Sequence, residues 1–210
     1  MNVRYLLPCI LLAAPDTGCN AMLYPVARAF GGPSEAELKA ARPAFERMKS
    51  GLPTAHWVVY PALVPVGEGV QVPETAERLM EGLRKAGATH CTVGAGLPAT
   101  EPTQMGANQM RFTWKRARAY SEWVKKVQPK GDLFFFTELL RAPNGVVRGM
   151  MLYVVERSGQ IAFVELWNSH HFKEGISPKD GPAACEVVMA GFQGALKWDA
   201  NRVFPPYGVG

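Results

Sequence analysis

Three strand-forming runs follow one another in the second half of this chain, at residues 133–140, 147–156 and 160–167, with Asn144-Gly145 and Ser158-Gly159 as compact turn signals between them. β-Branched and aromatic residues dominate each run, and turn pairs of this kind join neighbouring antiparallel strands. An antiparallel meander is the arrangement these signals predict. A sheet needs a covering layer, so the rest of the chain is read for what packs on it.

The first strand candidate is residues 55–64, which contains Trp57-Val58-Val59-Tyr60-Pro61; its proline predicts an edge position or a bulge. After a loop at Gly67, Glu68 and Gly69, Pro73 opens a helix whose stripe of Ala76, Leu79, Met80 and Leu83 ends at Gly87. A second strand is expected at 90–94. Residues 96–111 carry Pro, Gly and polar side chains without period, a loop long enough to suspect of function. A helix at 113–127 should turn Ala117, Tyr120, Val124 and Val127 inward. A last helix begins near Asp180 and Pro182 and carries Val187, Val188, Phe192 and Leu196 on one face. Ahead of all this, Ser34 and Glu37 form a capping-box pair before Leu38, Ala41, Phe45 and Met48. Pro43 is expected to kink or divide that helix, which should pack late and at the periphery. The fold class is therefore α/β (α+β): one mixed sheet of about five strands in the order β-α-β-α-β-β-β-α, with helices packed on it and an extra N-terminal helix. The expected divisions are an export signal at 1–21, a linker and peripheral helix at 22–54, a core domain at 55–198 and a tail at 199–210.

With 48% apolar and 20% charged residues over 210 positions, the chain can bury one sizeable core. Its 23 Lys and Arg against 18 Asp and Glu leave +5, too little for a dense nucleic-acid footprint, and no nucleic-acid partner is expected. Arg4 followed by the apolar run 5–14 and small or polar residues around Asp16 and Cys19 reads as a signal peptide. The run is too short for a spanning helix, which needs about twenty apolar residues. Asp16-Thr17-Gly18-Cys19 resembles the bacterial lipoprotein box, with Asp16 where that box prefers Leu, and makes Cys19 the expected lipid-attachment residue. Cleavage nearby by an ordinary signal peptidase, or retention as an uncleaved anchor, stays open. In an oxidising compartment Cys91 and Cys185 are candidates for a disulfide, with buried free thiols as the other reading.

The order of elements, with Trp57-Val58-Val59-Tyr60-Pro61 in the first strand and a meander before the final helix, resembles the amino-terminal domain of TolB and related bacterial envelope lipoproteins over residues 55–197. It is also similar to uncharacterised exported bacterial proteins with a Phe-rich strand, here Asp132-Leu133-Phe134-Phe135-Phe136-Thr137-Glu138, a Gly-bearing hairpin at 149–167, and an Asn168-Ser169-His170-His171 element. The resemblance implies an exported protein, in the periplasm or as an outer-membrane lipoprotein, without an established activity. Its expected partners are an envelope protein or cell-wall component, and the membrane through a lipid on Cys19.

Candidate chemistry is sparse. Asn168, Ser169, His170, His171 and Glu174 follow the last strand, a place where a rigid sheet often presents binding residues. Two adjacent imidazoles with Glu174 fall short of the separated three or four ligands of a zinc site, and no Gly-x-Ser-x-Gly elbow supports Ser169 as a nucleophile. A small metal-dependent or serine hydrolase centred there is the alternative to a non-enzymatic binding protein, as is a small-ligand binder using the 96–111 loop. Gly94-Ala95-Gly96-Leu97-Pro98-Ala99 imitates a dinucleotide fingerprint, but Pro98 and Pro102 prevent a helix from opening to receive a pyrophosphate. No cofactor is expected. Arg111, Lys115, Arg118, Glu122 and Lys125 fall near one helix face, flanked by Arg116 and Lys126. They read as a solvated face or as a contact for an anionic surface assisted by Trp114 and Trp123.

Overall fold

A computed structural model of the chain describes residues 32–65, 69–96, 109–141, 146–168, 178 and 180–204. The elements run α1 (Glu35–Gly51), β1 (His56–Val59), β2 (Ala62–Val64), β3 (Val70–Val72), α2 (Glu74–Ala86), β4 (His90–Val93), α3 (Gln109–Val127), β5 (Leu133–Arg141), β6 (Val147–Glu156), β7 (Ile161–Asn168), α4 (Gly181–Ala195) and α5 (Ala200–Val203). All seven strands join one mixed sheet.

The meander is present: β5 pairs antiparallel with β6 from Leu133↔Glu156 onward, and β6 pairs antiparallel with β7. The other edge of β5 takes β1 and β2 end to end, both parallel to it. Val59 lies opposite Phe135 and Leu63 opposite Glu138, so four steps on one strand match three on the other. Tyr60 and Pro61 therefore form a bulge that splits what the sequence presents as one strand, because Pro61 has no N–H to give to the ladder. Ala62 N–H just beyond it is satisfied by Thr75 Oγ1 at 2.7 Å, a side chain from the first turn of α2. The outer edge of this broken strand is shared, with β4 parallel to β1 and β3 antiparallel to β2. The count rises from the expected five to seven through that split and through β3, a three-residue strand too short to show a period.

Layers follow from the pleat. Trp57 and Phe135 point to one face, where Phe192 of α4 meets both rings edge-on at 6.3 and 5.6 Å. Phe134 and Phe136 point to the other, where Tyr120 of α3 stacks on Phe136 at 4.3 Å. Helix α2 lies beside α4 so closely that a Cβ on Gly82 would collide with Met189, and it ends where the sequence predicts, with Gly87 in the left-handed region at φ 114°. On α3, Ala117, Tyr120 and Val124 are buried as expected, whereas Val127 in its last turn is 50% exposed. Among the described residues no helix is long and apolar enough to cross a membrane.

Helix α1 departs most from expectation. Its capping box forms, and it runs unbroken through Pro43. Leu38, Ala41, Ala44, Phe45 and Met48 are buried in the same core as the sheet. Phe45 stacks on Phe163 of β7 at 6.0 Å and meets Phe204 at 6.2 Å. The supposed tail also packs: Phe204 is fully buried, and its carbonyl accepts from Arg42 Nε at 2.7 Å. These contacts place α1 along β7 as part of the core. Phe45→Ala should therefore cost about 3–5 kcal/mol, as for other large buried aromatics. A loss of unfolding free energy in urea of less than roughly 0.5 kcal/mol, the scale of a surface change, would return α1 to the periphery.

Candidate functional site

Several sequence candidates lie outside the described residues: Cys19, Ser169, His170, His171 and Glu174, together with nearly all of the 96–111 loop. Asn168 is the last residue of β7, paired with Gly149, which is in turn paired with Leu140. It thus leaves the sheet at the same end as the carboxyl end of β5.

The basic face of α3 divides. Arg111 and Lys115 are exposed on its outer side, and Lys125 is exposed and bonded to Glu122 at 2.8 Å. Arg118 is drawn inward. Its Nε donates to Glu37 Oε1 at 2.6 Å, and its Nη2 donates to Glu37 Oε2 at 3.0 Å and to the Gly32 carbonyl at 3.2 Å. That forked pair fastens α1 to α3, so Arg118 serves the fold and is not a free surface contact. Burial alone would raise the Glu37 carboxyl, but its bonds to Arg118 and Ser34 outweigh it and hold the pKa at about 2. Trp114 is buried and Trp123 partly so, the latter edge-on to Tyr60 and Phe136. Both are packing residues.

Cys91 and Cys185 are free thiols. Cys91 is half-buried on β4, and Cys185 is buried in α4 with its Sγ 4.0 Å from the Thr75 carbonyl. Burial raises both, Cys185 to about 12 with nearby Glu186 and Glu74 adding to the effect. Neither thiol is poised as a nucleophile, which requires the thiolate.

Two features emerge that the sequence reading did not single out. The first is a charged cluster under α3. Glu138 of β5 is completely buried, and its Oε1 accepts from Arg116 Nε at 2.9 Å and from Tyr120 Oη at 2.7 Å. Arg116 is itself only 4% exposed. Oε2 of Glu138 has no hydrogen-bond partner among the described residues. Burial pushes the Glu138 carboxyl up against the opposing pull of Arg116 and the Tyr120 bond. Tyr153 completes the group, its ring 5.1 Å from Tyr120 and its hydroxyl 3.1 Å from Met151 Sδ. The signal was legible as a lone carboxylate inside the apolar run Leu133-Phe134-Phe135-Phe136-Thr137-Glu138-Leu139-Leu140, where a buried charge needs a partner brought by another element.

The second is the β3/β4 edge. Gly94 N–H bonds the Val59 carbonyl at 2.9 Å, so alternate residues of β4 aim their main-chain groups at β1, and those between, Cys91 and Val93, aim theirs outward. Strand β4 pairs with β1 alone among the described residues. Val93 is 48% exposed, and Val70 on the neighbouring β3 is 61% exposed. Beside this edge an open depression is lined by Thr54, His56, Thr89, His90, Cys91 and Thr92. Among the described residues no group of three or more His, Cys, Asp and Glu is placed to hold a metal ion.

Comparison with known proteins finds no matching family model and no matching curated protein.

Two outcomes follow from the ion pairs. Arg116→Ala should cost about 3–5 kcal/mol by stranding a buried carboxylate, whereas Arg116→Met with Glu138→Leu should recover most of that loss. Urea denaturation of the three proteins checks it. Because the Glu37 pKa is depressed in the folded state, its contribution is complete above the ordinary value of 4.5 and disappears as pH falls toward 2. Glu37→Gln should therefore flatten the loss of stability across that acid window and cost up to about 1 kcal/mol at neutral pH, the solvent-screened scale.

Proposed function

We propose that this chain is a non-enzymatic binding module of the bacterial cell envelope, tethered by lipid at Cys19, that receives an extended segment of another envelope protein along β4. The observation that carries this reading is the open edge. Among the described residues the outward main-chain donors and acceptors of Cys91 and Val93 have no strand partner, and two of the three most exposed large hydrophobic side chains, Val93 and Val70, stand on that side of the sheet. Strand addition supplies affinity through main-chain bonds and specificity through alternate side-chain contacts.

The placement of Gly32, the first described residue, agrees with it. The carbonyl of Gly32 is held by Arg118, and α1 lies along β7. Across β4, β1, β5, β6 and β7 the sheet is about 19 Å wide at the usual spacing of about 4.8 Å between strands. A tether reaching the domain at the β7 side leaves the β4 side turned away from it.

Two measurements test the proposal. Intact mass of the mature protein from a bacterial host should show a chain that starts at Cys19 and carries added lipid, lost in Cys19→Ala; an unlipidated chain starting elsewhere removes the tether. A photo-crosslinking residue at Thr92 should give a discrete adduct with an envelope protein in cells, and the same residue at Lys39 on α1 should not. Val93→Pro removes only an outward-facing N–H and should abolish the adduct without changing the melting temperature. An adduct indifferent to Val93→Pro, or equal at Lys39, sinks the edge-docking reading.

A further inference from the structure

We propose that His56 and His90 form a two-imidazole binding site for a divalent copper ion on the face of the β1–β4 pair. The two residues are register partners on adjacent parallel strands, so their side chains leave the same face about 4.8 Å apart at the backbone. That spacing suits two side chains converging on one ion. Thr92, two residues beyond His90, shares this face, and its Oγ1 lies 2.8 Å from His56 Nε2. A hydroxyl held on one ring nitrogen fixes the imidazole and directs the other nitrogen's lone pair elsewhere, the role such outer partners play for metal-binding histidines. His90 is exposed, and its ring has no hydrogen-bond partner among the described residues.

The surroundings set the kind of ion. The depression lined by both histidines is open, and Thr54, Thr89 and Thr92 are its other polar lining residues, which leaves room for water to complete a coordination sphere. Cys91 lines it too, but alternation turns its side chain toward the opposite face of β4, where it packs against the core, so it is left out of the ligand set. Asp132 is occupied in bonding His56 N–H through Oδ2 at 2.9 Å. Among the described residues no group of three or more His, Cys, Asp and Glu is placed to hold an ion, so two imidazoles do not make the closed site that zinc prefers. Copper(II) heads the divalent series in affinity for a given nitrogen set and favours square arrangements of nitrogen and oxygen, so it is the ion that two imidazoles and water can hold.

The chain has four histidines, which makes the test clean. The full chain carrying His170→Asn and His171→Asn is titrated with copper(II), followed by calorimetry and by electron paramagnetic resonance. One ion per chain should bind, with hyperfine structure from imidazole nitrogens. Adding either His56→Asn or His90→Asn should weaken binding at least tenfold and remove that nitrogen signature, while Thr92→Val should weaken it less. His90 is exposed, so its replacement costs no packing, and an unchanged circular dichroism spectrum verifies the fold. Binding that is absent at micromolar copper, or equal in the His56 and His90 variants and their parent, overturns the site. Neither result decides the docking edge, which is tested by the loss of the crosslinked adduct in Val93→Pro.

Discussion

Strand β5 is buried along both faces from Leu133 to Leu140, and a strand in that situation needs apolar cover above and below and a hydrogen-bonded neighbour on each side. The remaining elements are answers to that demand. Helix α4 brings Phe192 to one face and α3 brings Tyr120 to the other. Strand β6 takes one edge over its whole length, and the other edge is filled by β1 and β2 in tandem. The bulge at Tyr60 and Pro61 is what allows two short strands to do the work of one long one. Beside it, a Cβ on Gly94 would run into the Tyr60 ring, so the close approach of β4 at that point depends on glycine.

Within this apolar slab Glu138 is costly, because a buried carboxylate gains from its partner only what desolvation does not remove. Arg116 and Tyr120, four residues apart on α3, approach the same oxygen from one helix face. The cluster sets the rotation and depth of α3 on the sheet more narrowly than ring packing alone could. A helix turned by one residue would bury the charge without its guanidinium.

The meander, the two central helices and the last helix were legible because each has a long, regular pattern or a compact turn. Gly87, Pro73 and the Ser34–Glu37 box marked boundaries through local chemistry that tertiary packing left intact. What escaped was decided at a distance. Pro43 suggested a broken helix, yet burial of Leu38 and Ala41 before it and of Phe45 and Met48 after it holds α1 in one piece. The basic stripe of α3 gave no sign that Arg118 faces Glu37, eighty-one positions earlier, or that Arg116 faces a strand. His56 and His90 each begin a strand with no local motif. Only strand register makes them neighbours.

The two sides of the sheet are treated unequally. At β7 the chain lays its own first helix, pinned by Glu37 to α3 and by Arg42 to the Phe204 turn, whereas among the described residues no strand pairs with the outer side of β4. A sheet with two open sides can propagate: each strand added exposes another, and copies can stack end to end into a fibre. A helix laid along one side works against that geometry. A strand added at β4 would meet a sheet whose far side already carries α1, which disfavours continued stacking from copy to copy.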